Sequence, residues 1–172
     1  MTTRRFLLLL VLMLGLPASA VAQPAVFLVR HAERADTASG AVPAMAGAPA
    51  ADPDLSEAGR ARAASLAVAL KDANITAIYV TEFKRTQQTA APLAQALGLA
   101  VIIVPASGVA PLVEKLNALP GNALVVGHSN TVPEVAKALG VKTAVQIPDT
   151  EFSDLFVVVR GREPVLLQLH YR

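Results

Sequence analysis

The sequence predicts an α/β fold: a three-layer α/β/α sandwich around a mostly parallel sheet, with a C-terminal β-hairpin. Short apolar segments typical of buried strands alternate with longer segments that have helical periodicity. This alternation indicates a mainly parallel sheet with right-handed crossovers. At the C-terminal end, two apolar segments, 155–160 and 165–170, flank the turn-forming residues 161–164, which indicates a hairpin. The length of 172 residues suits one such domain after removal of a leader.

The first strand is predicted over residues 26–29, a run of four apolar residues that leads into Arg30 and His31. A run of this kind is typical of a strand buried on both faces. The next segment, Asp36 to Asp54, is rich in Ala, Pro and Gly and has no convincing period. We interpret it as a loop near the cleft, and a surface insertion without function is an equal alternative. Ser56 then suits the N-cap of a helix that runs to about Lys71.

The later elements alternate in the same way. The helix that begins at Arg85 contains Pro92, which is predicted to kink it, and Gly98 stops it. Pro133 suits the first turn of the last helix, which ends at Gly140. The remaining predicted strands are 77–80, 99–104, 123–126 and the two of the hairpin. The helix that begins at Arg85 is predicted over 85–97, and one further helix is predicted over 109–119.

The N-terminus has the pattern of a secretory signal peptide. Arg4 and Arg5 precede an apolar run from Phe6 to Leu16, and small residues follow in an Ala-x-Ala arrangement that ends at Ala22. The run is shorter than the roughly 18 apolar residues of a spanning helix, which argues against a membrane anchor. We therefore predict a signal peptide over 1–22, a mature domain over 23–172, and a periplasmic or secreted protein without a membrane partner after cleavage.

Composition restricts the partners further. The formal net charge is +2, and the two arginines of the predicted leader account for all of this excess. The mature chain therefore offers no general basic surface for nucleic acid. Cysteine is absent, which excludes lipidation at a leader cysteine and is compatible with an oxidising compartment.

Three predicted strands end in residues suited to binding an anion. Arg30-His31 follows the first strand, a segment containing Arg85 follows the second, and Gly127-His128-Ser129 follows the strand at 123–126. Ligands of open α/β sheets bind at the carboxyl ends of the strands. Two of the chain's three histidines lie at such ends, although a strand that simply ends in polar residues is the plain alternative for each one.

These three segments together resemble the signature blocks of the histidine phosphatase (phosphoglycerate mutase-like) superfamily. The blocks are Arg30-His31-Ala32-Glu33, the segment 85–90 (RTQQTA) and Gly127-His128-Ser129, and they occur in the family's order. Ala32 stands where the family usually has glycine. The resemblance covers nearly the whole mature chain and suggests a small exported branch of the superfamily.

The resemblance implies a phosphate pocket made of Arg30, His31, Arg85 and His128. Guanidinium groups can each bind two phosphate oxygens, and the starts of the helices after Arg85 and Thr131 could add backbone donors. His31 is the predicted nucleophile, whose other ring nitrogen should donate to a carbonyl. His128, predicted to be charged, would stabilise the phosphoryl oxygens in the transition state.

Two further roles are predicted less directly. Ser129 is a candidate hydroxyl donor to the phosphate. The proton donor for the leaving group stays open between Glu82, three residues before Arg85, and Glu114, near the family's usual interval. A third possibility is that no acid exists, which would suit a good leaving group such as phosphohistidine. We favour Glu82 because it follows the second strand at the mouth of the cleft; for each residue the plain alternative is a solvated carboxylate.

The sequence therefore predicts a phosphatase acting on small phosphomonoesters or phosphohistidine, with no cofactor and no metal. Too few ligands are available for zinc at His31 and His128, and neither a Gly-x-Ser-x-Gly elbow nor a Walker phosphate loop occurs. Larger members of the resembled family insert a substrate-recognising cap between the positions that match Arg85 and His128. The resemblance therefore implies that the short interval here leaves a shallow, open cleft. A binding protein that keeps the anion pocket without turnover is the alternative function. His170 and the acidic residues Asp149, Glu151 and Asp154 are predicted to be structural, the three acidic residues as loop caps, with a place at the rim as the alternative.

Overall fold

The computed structural model describes residues 23–35 and 52–172. The predicted signal peptide, 1–22, and most of the predicted loop at 36–54 lie outside these described residues. The described elements are, in chain order, β1 (Ala25–Arg30), α1 (Glu57–Leu70), β2 (Ile75–Val80), α2 (Lys84–Leu97), β3 (Val101–Ile103), α3 (Val109–Ala118), β4 (Asn122–Gly127), α4 (Thr131–Ala138), β5 (Asp154–Val159) and β6 (Val165–His170).

Six strands form one sheet within the described part of the chain, in the order β3-β2-β4-β1-β5-β6. The four strands on one side run parallel, whereas β5 is antiparallel to β1 and β6 is antiparallel to β5. The predicted mostly parallel sheet and the C-terminal hairpin are therefore confirmed. This order brings the carboxyl ends of β1, β4 and β2 side by side.

Helices cover both faces of the sheet. One apolar core packs α1 and α2 against β1, β2 and β4 through residues such as Leu66, Leu93 and Leu124. A second core packs α3 and α4 on the opposite face through residues such as Leu116 and Val132. Adjacent residues of β1 divide between the two cores, Val29 in the first and Leu28 in the second. The strand is therefore buried on both faces, as its uninterrupted apolar run predicts.

The element boundaries agree with the predictions to within two residues. Ser56 is the N-cap of α1 and accepts a hydrogen bond from the Gly59 amide. The strand predicted over 99–104 is shorter, because β3 covers only Val101–Ile103. The last helix begins at Thr131 and ends at Ala138, so Pro133 is its third residue. α2 continues through Pro92 to Leu97.

Among the helices described for residues 23–35 and 52–172, none is long and apolar enough to cross a membrane.

Candidate active site

The two histidines that follow β1 and β4 meet at the carboxyl edge of the sheet. Arg30 of β1 is in register with Gly127 of β4, and the His31 amide donates to the Gly127 carbonyl at 2.9 Å. The next residues, His31 and His128, thus face each other with ring centroids 5.3 Å apart in an edge-to-face arrangement. Both rings are buried, with 5% and 8% of their surface exposed. The parallel pairing of neighbouring strands creates this contact between residues far apart in sequence.

The His31 ring has a defined hydrogen bond to the main chain. Its Nδ1 lies 2.8 Å from the Ala32 carbonyl oxygen. Since a carbonyl can only accept, Nδ1 carries the proton and Nε2 of the neutral ring keeps its lone pair. Burial, followed by the nearby His128, Arg85 and Arg30, lowers the pKa of His31 to about 3, although the hydrogen bond to Ala32 raises it. At neutral pH, His31 is therefore an uncharged base with an available Nε2.

The backbone after His31 is held by the start of α2. The Ala32 amide donates to Thr89 Oγ1 at 3.0 Å, and that hydroxyl donates to the Arg85 carbonyl at 2.7 Å. Ala32 is fully buried and packs in a small cluster with Leu55 and Ala63. The cluster accommodates the methyl group at the position where the resembled family usually has glycine. Thr89 thus connects two of the sequence blocks that carry the resemblance.

Arg30 is fixed by the loop that precedes β5. Its Nη1 donates to the carbonyls of Pro148, Asp149 and Glu151 at 3.0, 2.8 and 3.1 Å. Its guanidinium carbon lies 4.1 Å from the centre of the Phe152 ring, which is a cation–π distance. Arg30 Nε is buried and has no hydrogen-bond partner among the described residues. The loop therefore holds one side of the guanidinium and leaves a buried donor for a ligand to satisfy.

The acidic residues of this loop differ in part from the capping role predicted for them. Asp149 and Glu151 bind Arg30 through their main-chain carbonyls. The Glu151 carboxylate accepts from both the amide and the hydroxyl of Ser153 and caps the turn, as predicted. Asp154 is buried and pairs with His170 at 3.2 Å, which joins the starting end of β5 to the last residue of β6. The sequence gives no signal for the carbonyl contacts, because they depend on how the loop folds over β1.

The second arginine, Arg85, lies at the first turn of α2. Its Nη1 is 3.5 Å from Asp52 Oδ1, and its guanidinium carbon is 4.1 Å from the centre of the Phe83 ring. The Asp52 carboxylate also accepts from the Lys84 amide at 3.0 Å. The helix start was predicted to offer backbone donors to phosphate. In this structure, the Lys84 amide instead binds a carboxylate of the chain itself.

His128 is oriented by hydroxyl groups. Its Nε2 lies 3.0 Å from Thr81 Oγ1, and its amide donates to Thr131 Oγ1 at 2.9 Å. A side chain at Gly127 would place its Cβ 2.7 Å from the same Thr131 hydroxyl, which explains the glycine before His128. Phe83 contacts the ring edge-on, with centroids 5.3 Å apart.

The charge predicted for His128 applies to the phosphate-bound pocket, and the ring of the ligand-free pocket differs. Burial, followed by the positive charge of Arg85, lowers its pKa to about 4, although Glu82 acts in the opposite direction. The ring is therefore neutral at pH 7. The prediction assumed that a bound phosphate was present, and in its absence the cationic surroundings disfavour a further positive charge.

The other predicted site residues occupy different positions. Ser129 is half-buried next to His128 and has no hydrogen-bond partner in the described ranges. Glu82 is exposed at the mouth, where its Oε2 accepts from the Ala106 amide at 2.8 Å. It lies close enough to His128 for its charge to raise the pKa of that ring. Glu114 is exposed on α3, and none of its contacts links it to the two histidines.

Glu33 is the carboxylate nearest to His31 in sequence, but it forms an ion pair with Arg62. Arg62 donates to both of its oxygens, with the shortest contact at 2.7 Å. Burial raises the pKa of Glu33, but the hydrogen bonds and charge of Arg62 outweigh it and lower the pKa below its usual value. Glu33 is therefore an ionised anchor between the end of β1 and α1.

Three potential metal ligands lie where the loop before β5 meets the end of β6. Ligand atoms of Glu151, Asp154 and His170 lie within 4.8 Å of one another. These atoms are already bound within the protein: Glu151 to Ser153, and Asp154 to Gln168 and His170. We interpret the group as the anchor of the loop that carries Phe152.

Four residues of the site were missed at the sequence level: Asp52, Thr81, Phe83 and Phe152. Phe83 had a usable signal, because aromatic residues make up only 4% of the chain and it lies between Glu82 and Arg85. Phe152 had a weaker one, since it follows an acidic residue predicted to be structural. Thr81 had a weaker signal as the first polar residue after β2. Asp52 had none, since its contact depends on the path of the segment before α1.

Comparison with known proteins agrees with this geometry. The sequence model of the histidine phosphatase superfamily (branch 1) matches residues 26–106, which include Arg30, His31 and Arg85. No curated protein sequence matches the chain. The matched segment is therefore similar to this superfamily over 81 of the 172 residues of the chain.

Several solved structures share the fold at low sequence identity. The protein histidine phosphatase SixA, complexed with tungstate, has a TM-score of 0.65 and 22% identity over 85% of this chain and 96% of that one. A mycobacterial glucosyl-3-phosphoglycerate phosphatase complexed with VO3 has a TM-score of 0.65 and 15% identity, covering 84% and 97%. Mycobacterial hydrolase 1 has a TM-score of 0.63 and 15% identity, covering 85% and 96%. At these identities, the comparison establishes the fold alone.

Proposed function

We propose that this protein is a phosphatase that hydrolyses small phosphomonoesters, or phosphohistidine, through a phosphohistidine intermediate at His31. The observation that carries the proposal is the hydrogen bond from His31 Nδ1 to the Ala32 carbonyl. It leaves the Nε2 lone pair available in a buried, cationic pocket, and neutral imidazole is both a good nucleophile and a good leaving group. The superfamily match and the names of the structural neighbours support phosphate chemistry in general.

The proposed reaction has two displacements. In the first, His31 Nε2 attacks phosphorus, a P–N bond forms and the P–O bond of the ester breaks. The leaving oxygen takes a proton from an acid, for which Glu82 is our candidate. In the second, water attacks the phosphohistidine, a P–O bond forms as the P–N bond breaks, and the acid deprotonated in the first step takes the proton that water loses. Phosphate then leaves and Nε2 recovers its lone pair. Arg30, Arg85 and His128 would bind the equatorial oxygens as negative charge shifts in each transition state, and Ser129 could add a hydroxyl donor.

Hydrolysis of p-nitrophenyl phosphate tests the proposal, with wild type compared with His31→Ala. We expect turnover by wild type only, together with an acid-labile, base-stable phosphoenzyme that is absent from the variant. Equal rates would remove His31 from the mechanism. If wild type binds tungstate but gives neither turnover nor a phosphoenzyme, the non-catalytic anion-binding protein is the better assignment.

The role of Glu82 needs a separate experiment. We expect Glu82→Gln to slow esters with poor leaving groups more than p-nitrophenyl phosphate, because only a poor leaving group needs a proton in the transition state. Glu114→Gln is the matched control and should leave both rates unchanged. If both leaving groups slow equally in Glu82→Gln, the residue does not act as the acid.

Export is a further part of the proposal. The leader-like sequence at 1–22 supports a periplasmic or secreted location. Expression of the full chain, followed by fractionation and N-terminal sequencing, tests it. A mature protein beginning at Gln23 in the exported fraction is expected, and an uncleaved chain in the cytoplasm would contradict it.

A further inference from the structure

Two buried threonine hydroxyls link the end of β2 to His128. Thr81 is 7% exposed and Thr86 is fully buried. Thr81 Oγ1 lies 3.0 Å from Thr86 Oγ1 on one side and 3.0 Å from His128 Nε2 on the other. Buried polar atoms are normally all hydrogen-bonded, and each hydroxyl has a single proton to donate. The direction of each bond can therefore be worked out.

The direction follows from the groups around Thr86. Its hydroxyl lies 2.8 Å from the Phe83 carbonyl and 3.1 Å from the Thr81 carbonyl, both of which can only accept. Its single proton is therefore directed to a carbonyl. The Thr81 amide donates to the same oxygen at 3.1 Å. The two hydroxyl oxygens lie 3.0 Å apart, which is a hydrogen-bond distance that needs a proton between them. Because Thr86 donates to a carbonyl, this proton belongs to Thr81. Thr81 Oγ1 is left to accept from His128 Nε2.

We propose that Thr81, supported by Thr86, is a positioning residue that holds the proton of neutral His128 on Nε2 and keeps Nδ1 as the atom that takes up a proton when a phosphoryl group enters. This inference rests on the proposed function, because it assigns a task to His128 in that pocket. The two histidines then have opposite tautomers. His31 is protonated on Nδ1 and offers Nε2, whereas His128 is protonated on Nε2 and offers Nδ1.

A phosphate dianion reverses the electrostatic environment of His128. In the ligand-free pocket, the ring is surrounded by the positive charges of Arg85, Arg30 and Arg34, with Glu82 as the opposing charge and neutral His31 beside it. A bound dianion offsets the positive charge of these arginines and therefore favours the protonated, imidazolium form of His128. The proton comes from solvent or arrives with a phosphate monoanion. Nε2–H stays on Thr81 and the new Nδ1–H donates to a phosphoryl oxygen.

Nitrogen NMR of the ligand-free protein tests the tautomer directly. In wild type at pH 7, we expect the His128 resonances of a ring protonated on Nε2, and those of His31 to report protonation on Nδ1. On addition of tungstate, His128 should become doubly protonated. A His128 ring protonated on Nδ1 in the free protein would overturn the proposal.

Kinetics of Thr81 variants test the consequence. Thr81→Val keeps the shape but removes the acceptor, so we expect kcat to fall about 10- to 100-fold with a much smaller change in KM. Thr81→Ser restores the hydroxyl and should recover most of the rate. Thr76→Val, at the exposed opposite end of β2, is the matched control and should behave as wild type. If Thr81→Ser is as slow as Thr81→Val, packing of the methyl group is the cause, and the positioning role is wrong.

The two experiments separate failure of the inference from failure of the proposed function. The NMR measurement on the free protein needs no substrate and no turnover. If wild type does not hydrolyse phosphomonoesters, the proposed function fails while the tautomer is still decided. If wild type is active but Thr81→Val retains its full kcat, the positioning role fails while the function stands.

Discussion

The two halves of the pocket use the same residue types but are supported in different ways. In the β1 half, His31 is fixed by the Ala32 carbonyl, and Arg30 by three carbonyls of the 148–151 loop. In the half formed by β2, α2 and β4, His128 is fixed by the Thr81 hydroxyl, and Arg85 pairs with the Asp52 carboxylate. Each half adds a phenylalanine beneath its arginine.

This difference determines which half a point mutation can disturb. Main-chain carbonyls cannot be removed by exchanging a side chain, so the geometry of His31 resists substitution of its neighbours. A hydroxyl or a carboxylate disappears with one substitution. The β1 half is therefore suited to holding the atom that reacts, and the second half can be adjusted residue by residue.

The largest expected effect separates the two histidines. His31→Ala should abolish phosphoenzyme formation, because the attacking atom is lost. His128→Ala should still form a phosphoenzyme, about 100- to 1,000-fold more slowly, as expected for loss of one group that stabilises the transition state. Rapid-quench kinetics with p-nitrophenyl phosphate measures both. Equal loss in the two variants would mean that the halves do not differ in role.

The arginines provide the next comparison. Lysine cannot bind two phosphate oxygens in the same plane as arginine does. Arg30→Lys and Arg85→Lys should therefore each raise KM for p-nitrophenyl phosphate. Loss of one charged hydrogen bond corresponds to an increase of about 10-fold. Only Arg30→Lys also removes the donor to the 148–151 loop. It should therefore lower the melting temperature more than Arg85→Lys, as measured by calorimetry. A larger loss of stability in Arg85→Lys would contradict the proposed difference in support.

The depressed pKa values of the two histidines predict that acid destabilises the fold. An unfolded histidine binds its proton near pH 6.5, whereas folded His128 does so at about 4 and folded His31 at about 3. Below pH 6.5 the unfolded chain binds more protons, so stability falls as pH falls. The free energy of unfolding should fall between pH 7 and pH 4.5, and His128→Gln should reduce that fall by on the order of 2 kcal/mol. Urea unfolding at the two pH values measures the free energy of unfolding. If the variant loses as much stability as wild type, the lowered pKa of His128 is wrong.

The smallest expected effect concerns Asp52. Its carboxylate competes with a ligand for Arg85 and for the Lys84 amide. Asp52→Asn should therefore tighten tungstate binding by a few-fold, about what an ion pair with partial access to solvent contributes. Asp54→Asn is the matched control, since Asp54 accepts from Gln88 and lies outside the ion pair. Calorimetric titration measures both, and weaker binding in Asp52→Asn would show that the carboxylate assists the anion.

The sequence alone predicted the layers, the hairpin, and the four residues expected to form the phosphate pocket. Buried strands have continuous apolar runs and helices have their own period, so residues 26–29 or 63–70 already indicate their elements. Arg30, His31 and His128 lie at the ends of such strands and Arg85 lies five residues after one, and neighbouring parallel strands bring their ends together. The boundary of β3 was predicted poorly because an edge strand is paired along one side only and its length depends on β2.

Only the tertiary structure decided how these four residues are held. The carbonyls of Pro148, Asp149 and Glu151 approach Arg30 across 118 or more positions of sequence, and no local pattern encodes such a contact. The neutral state of His128 likewise depends on burial and on three arginines from two segments far apart in sequence. Local periodicity is a property of neighbours in sequence, whereas a pKa or a tautomer is set by the groups that the folded chain gathers around one atom.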